Sequence, residues 1–149
     1  LNLIIGLFGM PNNLIYQAHK GFNGIDTSGV VLMSYPEFQA LAIGAKDSGS
    51  PSTCLIQGEK GWLKVETAPN QLEKITCQIR GEDNLQEYAL NQYPHRLSHE
   101  FAAFAAMLAN KDFAARDLYL NISLQVAETA EKARKQAGIS FPADQQPPN

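Results

Sequence analysis

The constraint that bears hardest on this chain is a change of period. From Leu14 to Leu90 the sequence runs in short apolar stretches, each closed by glycine, proline, asparagine or serine. From Leu97 onward the apolar residues recur at helical spacing. Strand side chains alternate between two faces, whereas helix side chains return to one face every three or four residues. A block of strands followed by a block of helices is therefore predicted. Short turns between consecutive strands make the sheet mostly antiparallel.

The individual elements follow from local signals. Leu3, Ile4, Leu7 and Phe8 share a helical face, and Gly9 with Pro11 stops that helix. Strands are predicted over 14–20, 27–34, 38–46, 53–57, 62–66, 72–80 and 85–90. Gly58-Glu59-Lys60-Gly61 is the clearest hairpin turn. Small residues at Ala40, Ala42, Gly44 and Ala45 let a helix or a second sheet pack closely on the third strand. Helices are predicted over 97–110 and 117–137, the second ending at Gly138. The expected fold class is α+β: an open-faced, mostly antiparallel (mixed) β-sheet with helices packed on one face. One domain is expected over 1–142, with a flexible tail over 143–149. The uncovered sheet face is expected to pair with a second copy or another domain.

Composition removes several function classes. The 149 residues carry 12 basic and 15 acidic side chains, a net charge of −3, so no cationic surface tracks a nucleic acid backbone. The one basic cluster, Glu131-Lys132-Ala133-Arg134-Lys135, suits a solvated helix C-terminus. The apolar start, Leu1 to Met10, is far shorter than the ~20 residues that span a bilayer and lacks a basic leader. It reads as a helix already under way, so the chain is expected to be a fragment or a processed product. Cys54 and Cys77 fall in strand-like runs, with no CxxC and no metal-ligand spacing among the histidines. Free thiols, no metal and a cytoplasmic setting are expected.

Few motifs carry chemistry. Gly21…Gly24 and Gly58…Gly61 are not GxGxxG, and neither lies between a strand and a helix, so no dinucleotide seat is predicted. Neither GxSxG nor HExxH occurs. Asn121-Ile122-Ser123 matches a glycosylation sequon but falls inside a predicted helix. Trp62, just after the hairpin turn, reads as core or interface in preference to a ligand platform. The densest polar group is Tyr93-Pro94-His95-Arg96-Leu97-Ser98-His99-Glu100. Its phenol, imidazole and guanidinium suit a hydroxylated ligand. The same residues also fit a solvated loop leading into a helix, with Glu100 favoured by the dipole.

Four stretches, in order, resemble one oxidoreductase family. They are Leu3-Ile4-Ile5-Gly6-Leu7-Phe8-Gly9-Met10-Pro11; Leu55-Ile56-Gln57-Gly58-Glu59-Lys60-Gly61-Trp62-Leu63-Lys64-Val65; His99-Glu100-Phe101 with Phe104 and Met107; and Ala133-Arg134-Lys135-Gln136-Ala137-Gly138-Ile139-Ser140-Phe141-Pro142. Together they resemble the C-terminal domain of the glucose-fructose oxidoreductase, inositol dehydrogenase and rhizopine-catabolism (Gfo/Idh/MocA) family, in its dihydrodiol dehydrogenase-like branch. The resemblance implies an NAD- or NADP-binding Rossmann domain ahead of this chain, with the acid/base residue also upstream of Leu1. It implies a substrate-binding and dimerisation domain here, acting in an NAD(P)-dependent oxidoreductase on a sugar, polyol or diol. No catalytic or cofactor-binding residue is assigned to this chain, and the fragment is expected neither to bind the nucleotide nor to turn over. Asn70, Tyr93, His95 and Arg96 are the substrate-side candidates by the same resemblance. The expected partners are the missing Rossmann domain, a second copy through the open sheet face, and a small polyhydroxy substrate, with no nucleic acid and no membrane. The rival reading is a stand-alone binding or dimerisation module without catalysis. A sugar hydrolase would need paired acids facing one cleft, and the acids here are scattered through turns and helix faces.

Overall fold

The computed structural model describes residues 1–145 except Leu90, Gln92, Pro94 and Arg96. Its elements are α1 (Asn2–Phe8), β1 (Asn13–Lys20), β2 (Asp26–Ser34), β3 (Gln39–Ala45), β4 (Cys54–Gly58), β5 (Gly61–Val65), β6 (Ile75–Ile79), β7 (Gln86–Tyr88), α2 (Ser98–Asn110) and α3 (Phe113–Gln136). A short 3₁₀ turn, Pro142–Gln145, closes the described chain. The α+β class and the antiparallel pairing stand as expected. Two details differ. The seven strands form two sheets, β1-β2-β3 and β4-β5-β6-β7, in place of one. Every pairing is antiparallel, so the expected mixed character is absent. The polar stretch from Asp47 to Thr53, with Pro51 in its middle, separates β3 from β4.

The chain divides into two compact units, Leu1–Gly49 with Ala114–Asn149, and Ser50–Phe113. The first is a three-stranded sheet backed by α1 and α3. Register places Leu14, Met33 and Ala40 side by side, then Tyr16, Val31 and Ala42. That face packs with Leu1, Ile4 and Ala133, and Met33 is fully buried. Ala40 and Ala42 permit the close approach that their size predicted. The opposite face carries Ile15, Leu41 and Ile43, exposed at 47%, 60% and 77%.

The C-terminus of α3 is fastened from several sides. Gly138 has φ +68°; its N–H reaches Lys135 O at 3.0 Å and that of Ile139 reaches Arg134 O at 2.9 Å. This is the Schellman cap that the glycine forecast. Gln136 lies along β1, accepting from the Tyr16 N–H at 2.8 Å and donating to Leu14 O at 3.1 Å. Its amide thereby occupies backbone groups of an edge strand, which otherwise template unwanted pairing.

Residues 143–145, the start of the expected tail, belong to the 3₁₀ turn. Asp144 holds Arg134 through two charge-assisted hydrogen bonds of 2.5 and 2.7 Å and accepts the Phe141 N–H at 2.7 Å. The Arg134 guanidinium also lies 4.4 Å from the centre of the Phe141 ring. The Arg134 bond, then the Phe141 N–H, hold the Asp144 carboxyl well below the usual carboxylate range. Arg134 is a helix residue whose side chain organises the turn that follows, which gives a physical reason for the Arg-to-Phe stretch noted in the sequence. Residues 146–149 lie outside the described residues.

The second unit is the four-stranded sheet and α2. One face carries Cys54, Ile56, Leu63, Val65, Ile75 and Cys77, and the other carries Leu55, Gln57, Trp62, Lys64, Thr76 and Gln78. Cys54 and Cys77 are free. β5 lies between their strands, and two strand spacings of about 4.8 Å exceed disulfide reach. In α2, Phe101, Phe104 and Leu108 are 67%, 56% and 66% exposed. The helical period of this segment is as expected, but its apolar stripe is not buried within the unit.

Candidate functional site

The loops at one end of the four-stranded sheet hold Asn70, Tyr93 and His95 of the residues singled out from sequence. β5 ends at Val65 and β6 starts at Ile75, paired with Val65 on one side and Tyr88 on the other. Between β5 and β6 the chain turns at Ala68, whose carbonyl accepts the Gln71 N–H at 2.8 Å. Asn70 sits in this turn, exposed. Leu72 follows with φ +36°, a left-handed conformation that side-chain-bearing residues rarely take. Thr67 Oγ1, immediately before the turn, is buried without a hydrogen-bond partner among the described residues.

Asn91 connects this turn to the loop after β7. Its Nδ2 donates to Gln71 O at 3.1 Å. Beyond it, the Tyr93 ring meets the His99 ring edge-on, with centroids 4.7 Å apart. The His95 Nδ1 accepts the Leu97 N–H at 3.3 Å, and its carbonyl accepts the Ser98 N–H at 3.0 Å. Both bonds use donors at the start of α2 that have no partner within the helix. With Nδ1 accepting, the neutral imidazole carries its proton on Nε2, leaving an outward donor. Tyr93 and His95 are exposed.

Three of the four candidates are therefore placed. The Asn91–Gln71 bond joins the turn of Asn70 to the loop of Tyr93 and His95. Arg96 lies outside the described residues. Sequence reasoning missed Asn91 and Gln71. A side-chain-to-carbonyl tie twenty positions apart has no local signature, and only the asparagine in a loop between strand and helix hints at it.

Sequence reasoning also passed over a cluster in the first unit. Tyr16 Oη donates to Asp26 Oδ2 at 2.9 Å, while Lys46 Nζ donates to Asp26 O at 3.1 Å and lies 3.8 Å from Oδ1. Burial, then the Asp26 bond and charge, push the Tyr16 phenol upward. These groups border a concavity of about 550 Å³ floored by Gly29, Ala42 and Gly44. Carboxylate, phenol and ammonium satisfy one another there, which is the behaviour of a structural cluster. Gly29 is required by it, since a Cβ would lie 2.5 Å from the Tyr16 ring. Among the described residues no group of three or more His, Cys, Asp or Glu is arranged to hold a metal ion. No helix there is long and apolar enough to cross a membrane.

No family model matches the chain. Individual proteins do. It is 30% identical over 139 residues to the scyllo-inositol 2-dehydrogenase (NADP(+)) IolU of Bacillus subtilis (strain 168), covering 93% of this chain and 42% of that protein. It is 29% identical over 140 residues to the uncharacterised oxidoreductase YgjR of Escherichia coli (strain K12), covering 94% and 42%. The chain spans about two fifths of the length of these curated relatives. A crystal structure from Klebsiella pneumoniae, provisionally described as an oxidoreductase, shares the fold with a TM-score of 0.62 at 16% identity. The match covers 92% of this chain and 45% of that one. These relatives and the shared fold fit the C-terminal domain of the Gfo/Idh/MocA oxidoreductases that the sequence resembles. These comparisons do not single out the dihydrodiol dehydrogenase-like branch within the family.

Proposed function

We propose that this chain is the substrate-binding and dimerisation domain of an NAD(P)-dependent oxidoreductase acting on a CH–OH carbon of a sugar, polyol or diol, in the cytoplasm. The observation that carries the reading is the Asn91–Gln71 tie. It joins the turn that carries Asn70 to the loop that carries Tyr93 and His95, whose amide, hydroxyl and imidazole N–H are the groups this reading uses. Neutral donors and acceptors of this kind suit the hydroxyls of an uncharged polyol, and fixing several at once orients one carbinol carbon. The name of the Bacillus relative, a scyllo-inositol dehydrogenase using NADP(+), favours a cyclic polyol and that nucleotide.

The nucleotide would supply the hydride acceptor. Among the described residues, neither α1 nor α2 nor α3 opens from a glycine-rich strand-to-helix turn, so they do not fit a pyrophosphate. In this proposal the nucleotide and the acid/base residue belong to a Rossmann partner outside this chain. The residues here orient substrate hydroxyls and move no proton.

The experiment expresses the complete product of the gene and follows NADPH formation at 340 nm with scyllo-inositol and other polyols. Tyr93→Ala and His95→Ala are expected to raise KM about tenfold each, the loss of one good hydrogen bond, with kcat little changed. A complete protein that reduces neither nucleotide with any polyol would sink the reading. So would full activity in the Tyr93→Ala, His95→Ala double variant.

The dimer is assigned to the outer face of β1-β2-β3, where Ile15, Leu41 and Ile43 stand in water. An antiparallel sheet with one apolar face exposed normally buries it in an assembly. Light scattering at tens of micromolar is expected to give twice the chain mass, and Leu41→Lys with Ile43→Lys to give the monomer. Monomer mass in the unaltered chain overturns this assignment.

A further inference from the structure

The far end of the four-stranded sheet carries a concavity that the reading above does not use. Two turns form its walls, the β4–β5 turn at Gly58–Gly61 and the bend after β6 at Arg80–Glu82. The Arg80 N–H donates to Lys60 O at 2.9 Å, which ties the walls together. Its floor is a lateral row in register across three strands, Gln57 on β4, Trp62 on β5 and Gln78 on β6. Directly opposed residues in antiparallel strands project on the same side, so the indole is flanked by a carboxamide on each edge. Glu59 and Arg80 complete the lining, and the volume is about 390 Å³.

The row is held in place. The Gln78 Nε2 donates to Glu82 O at 3.3 Å, which fixes the amide and leaves its carbonyl oxygen to accept. Gly61 lets β5 and β6 approach where no side chain would fit, since a Cβ there would lie 2.0 Å from Gln78 O. No hydrogen bond among the described residues engages the Trp62 indole N–H or the Gln57 amide.

We propose that this row is a binding site for a six-membered ring polyol, a hexopyranose or cyclitol whose hydroxyls are equatorial. Such a ring presents C–H groups on its flat faces and hydroxyls around its edge. The indole takes the flat face, and the amides on either side reach vicinal hydroxyls, each offering both donor and acceptor. Glu59 and Arg80 add an acceptor and donors at the rim. The site differs from the Asn70 and Tyr93 loops. β5 runs from Gly61 at this end to Val65 at theirs, about 13 Å of strand. It serves to hold a sugar without reacting it.

Trp62 is the only tryptophan in the sequence, so its emission reports this site without ambiguity. The test titrates the chain with methyl β-D-glucopyranoside, with scyllo-inositol and with the acyclic polyol ribitol. Saturable changes in Trp62 emission are expected for the two rings at roughly millimolar half-saturation, and none for ribitol. Gln57→Ala is expected to weaken the ring response about tenfold with an unchanged thermal midpoint. Tyr93→Ala is expected to leave it intact, which separates this site from the proposed substrate loops. Linear, unsaturated responses to both rings up to about a hundredfold above that range would overturn the proposal. So would a Gln57→Ala chain that folds and responds as the parent does.

Discussion

Gly61→Ala is expected to destabilise the four-stranded sheet by about 3 kcal/mol or more. Two independent costs add. The glycine has φ +146°, a conformation that residues with a Cβ scarcely enter. The added methyl would also lie 2.0 Å from Gln78 O and 3.1 Å from Ile79 Cα, and both contacts are backbone. No rotamer change relieves a collision with main chain, so β5 and β6 must part at the very end where the Arg80–Lys60 bond joins them. Gly58→Ala, at the other end of the same turn, is the control. Its Cβ would meet only Gly61 O at 3.7 Å, an ordinary contact. That variant is expected within about 1 kcal/mol of the parent. Urea unfolding followed by Trp62 emission reads both. Equal midpoints for the two variants would show that the hairpin tolerates separation and that the glycine is not required there.

The same hairpin shows what was legible beforehand. Two glycines at the ends of a polar turn, with apolar residues on both sides, specify strand–turn–strand locally, and β4 and β5 formed within one residue of expectation. Legibility failed where the cause was not local. Leu72 continues an apolar alternation, which predicts it as part of the sixth strand. It belongs instead to the Ala68 turn, and β6 begins only at Ile75. α3 starts four residues before the predicted 117, because Lys111 to Arg116 has the composition of a polar connector. A single left-handed residue, Lys111 at φ +51°, ends α2, and α3 resumes at Phe113. Lysine carries no stop signal of the kind glycine gives, so the break is invisible in sequence. The split into two sheets is of the same kind, because turn chemistry says which neighbours pair and nothing about β3 and β4 across an open loop. At the candidate site the residue types were readable. Their meeting was not, since it rests on Asn91 reaching a carbonyl twenty positions away.

Met33→Ala is expected to cost the first unit about 2–5 kcal/mol, the range for emptying a fully buried side chain of this size. Met33 is wholly inaccessible and lies mid-sheet, paired with Leu14 on β1 and Ala40 on β3. Its cluster also holds Val31, Tyr35 and Ala133 of α3. The neighbours on β3 and α3 are alanines, whose side chains are too short to swing into the space left behind. Incomplete collapse places the variant toward the costly end of the range, because the penalty grows with the residual cavity. Met33→Leu conserves volume and is expected to cost less than about 1.5 kcal/mol. The pair therefore separates shape from hydrophobicity at one position. Denaturant unfolding followed by far-ultraviolet circular dichroism reads both. A Met33→Ala chain as stable as the leucine variant would mean that helix and sheet close the gap, and that this core is far softer than its alanine-lined packing implies.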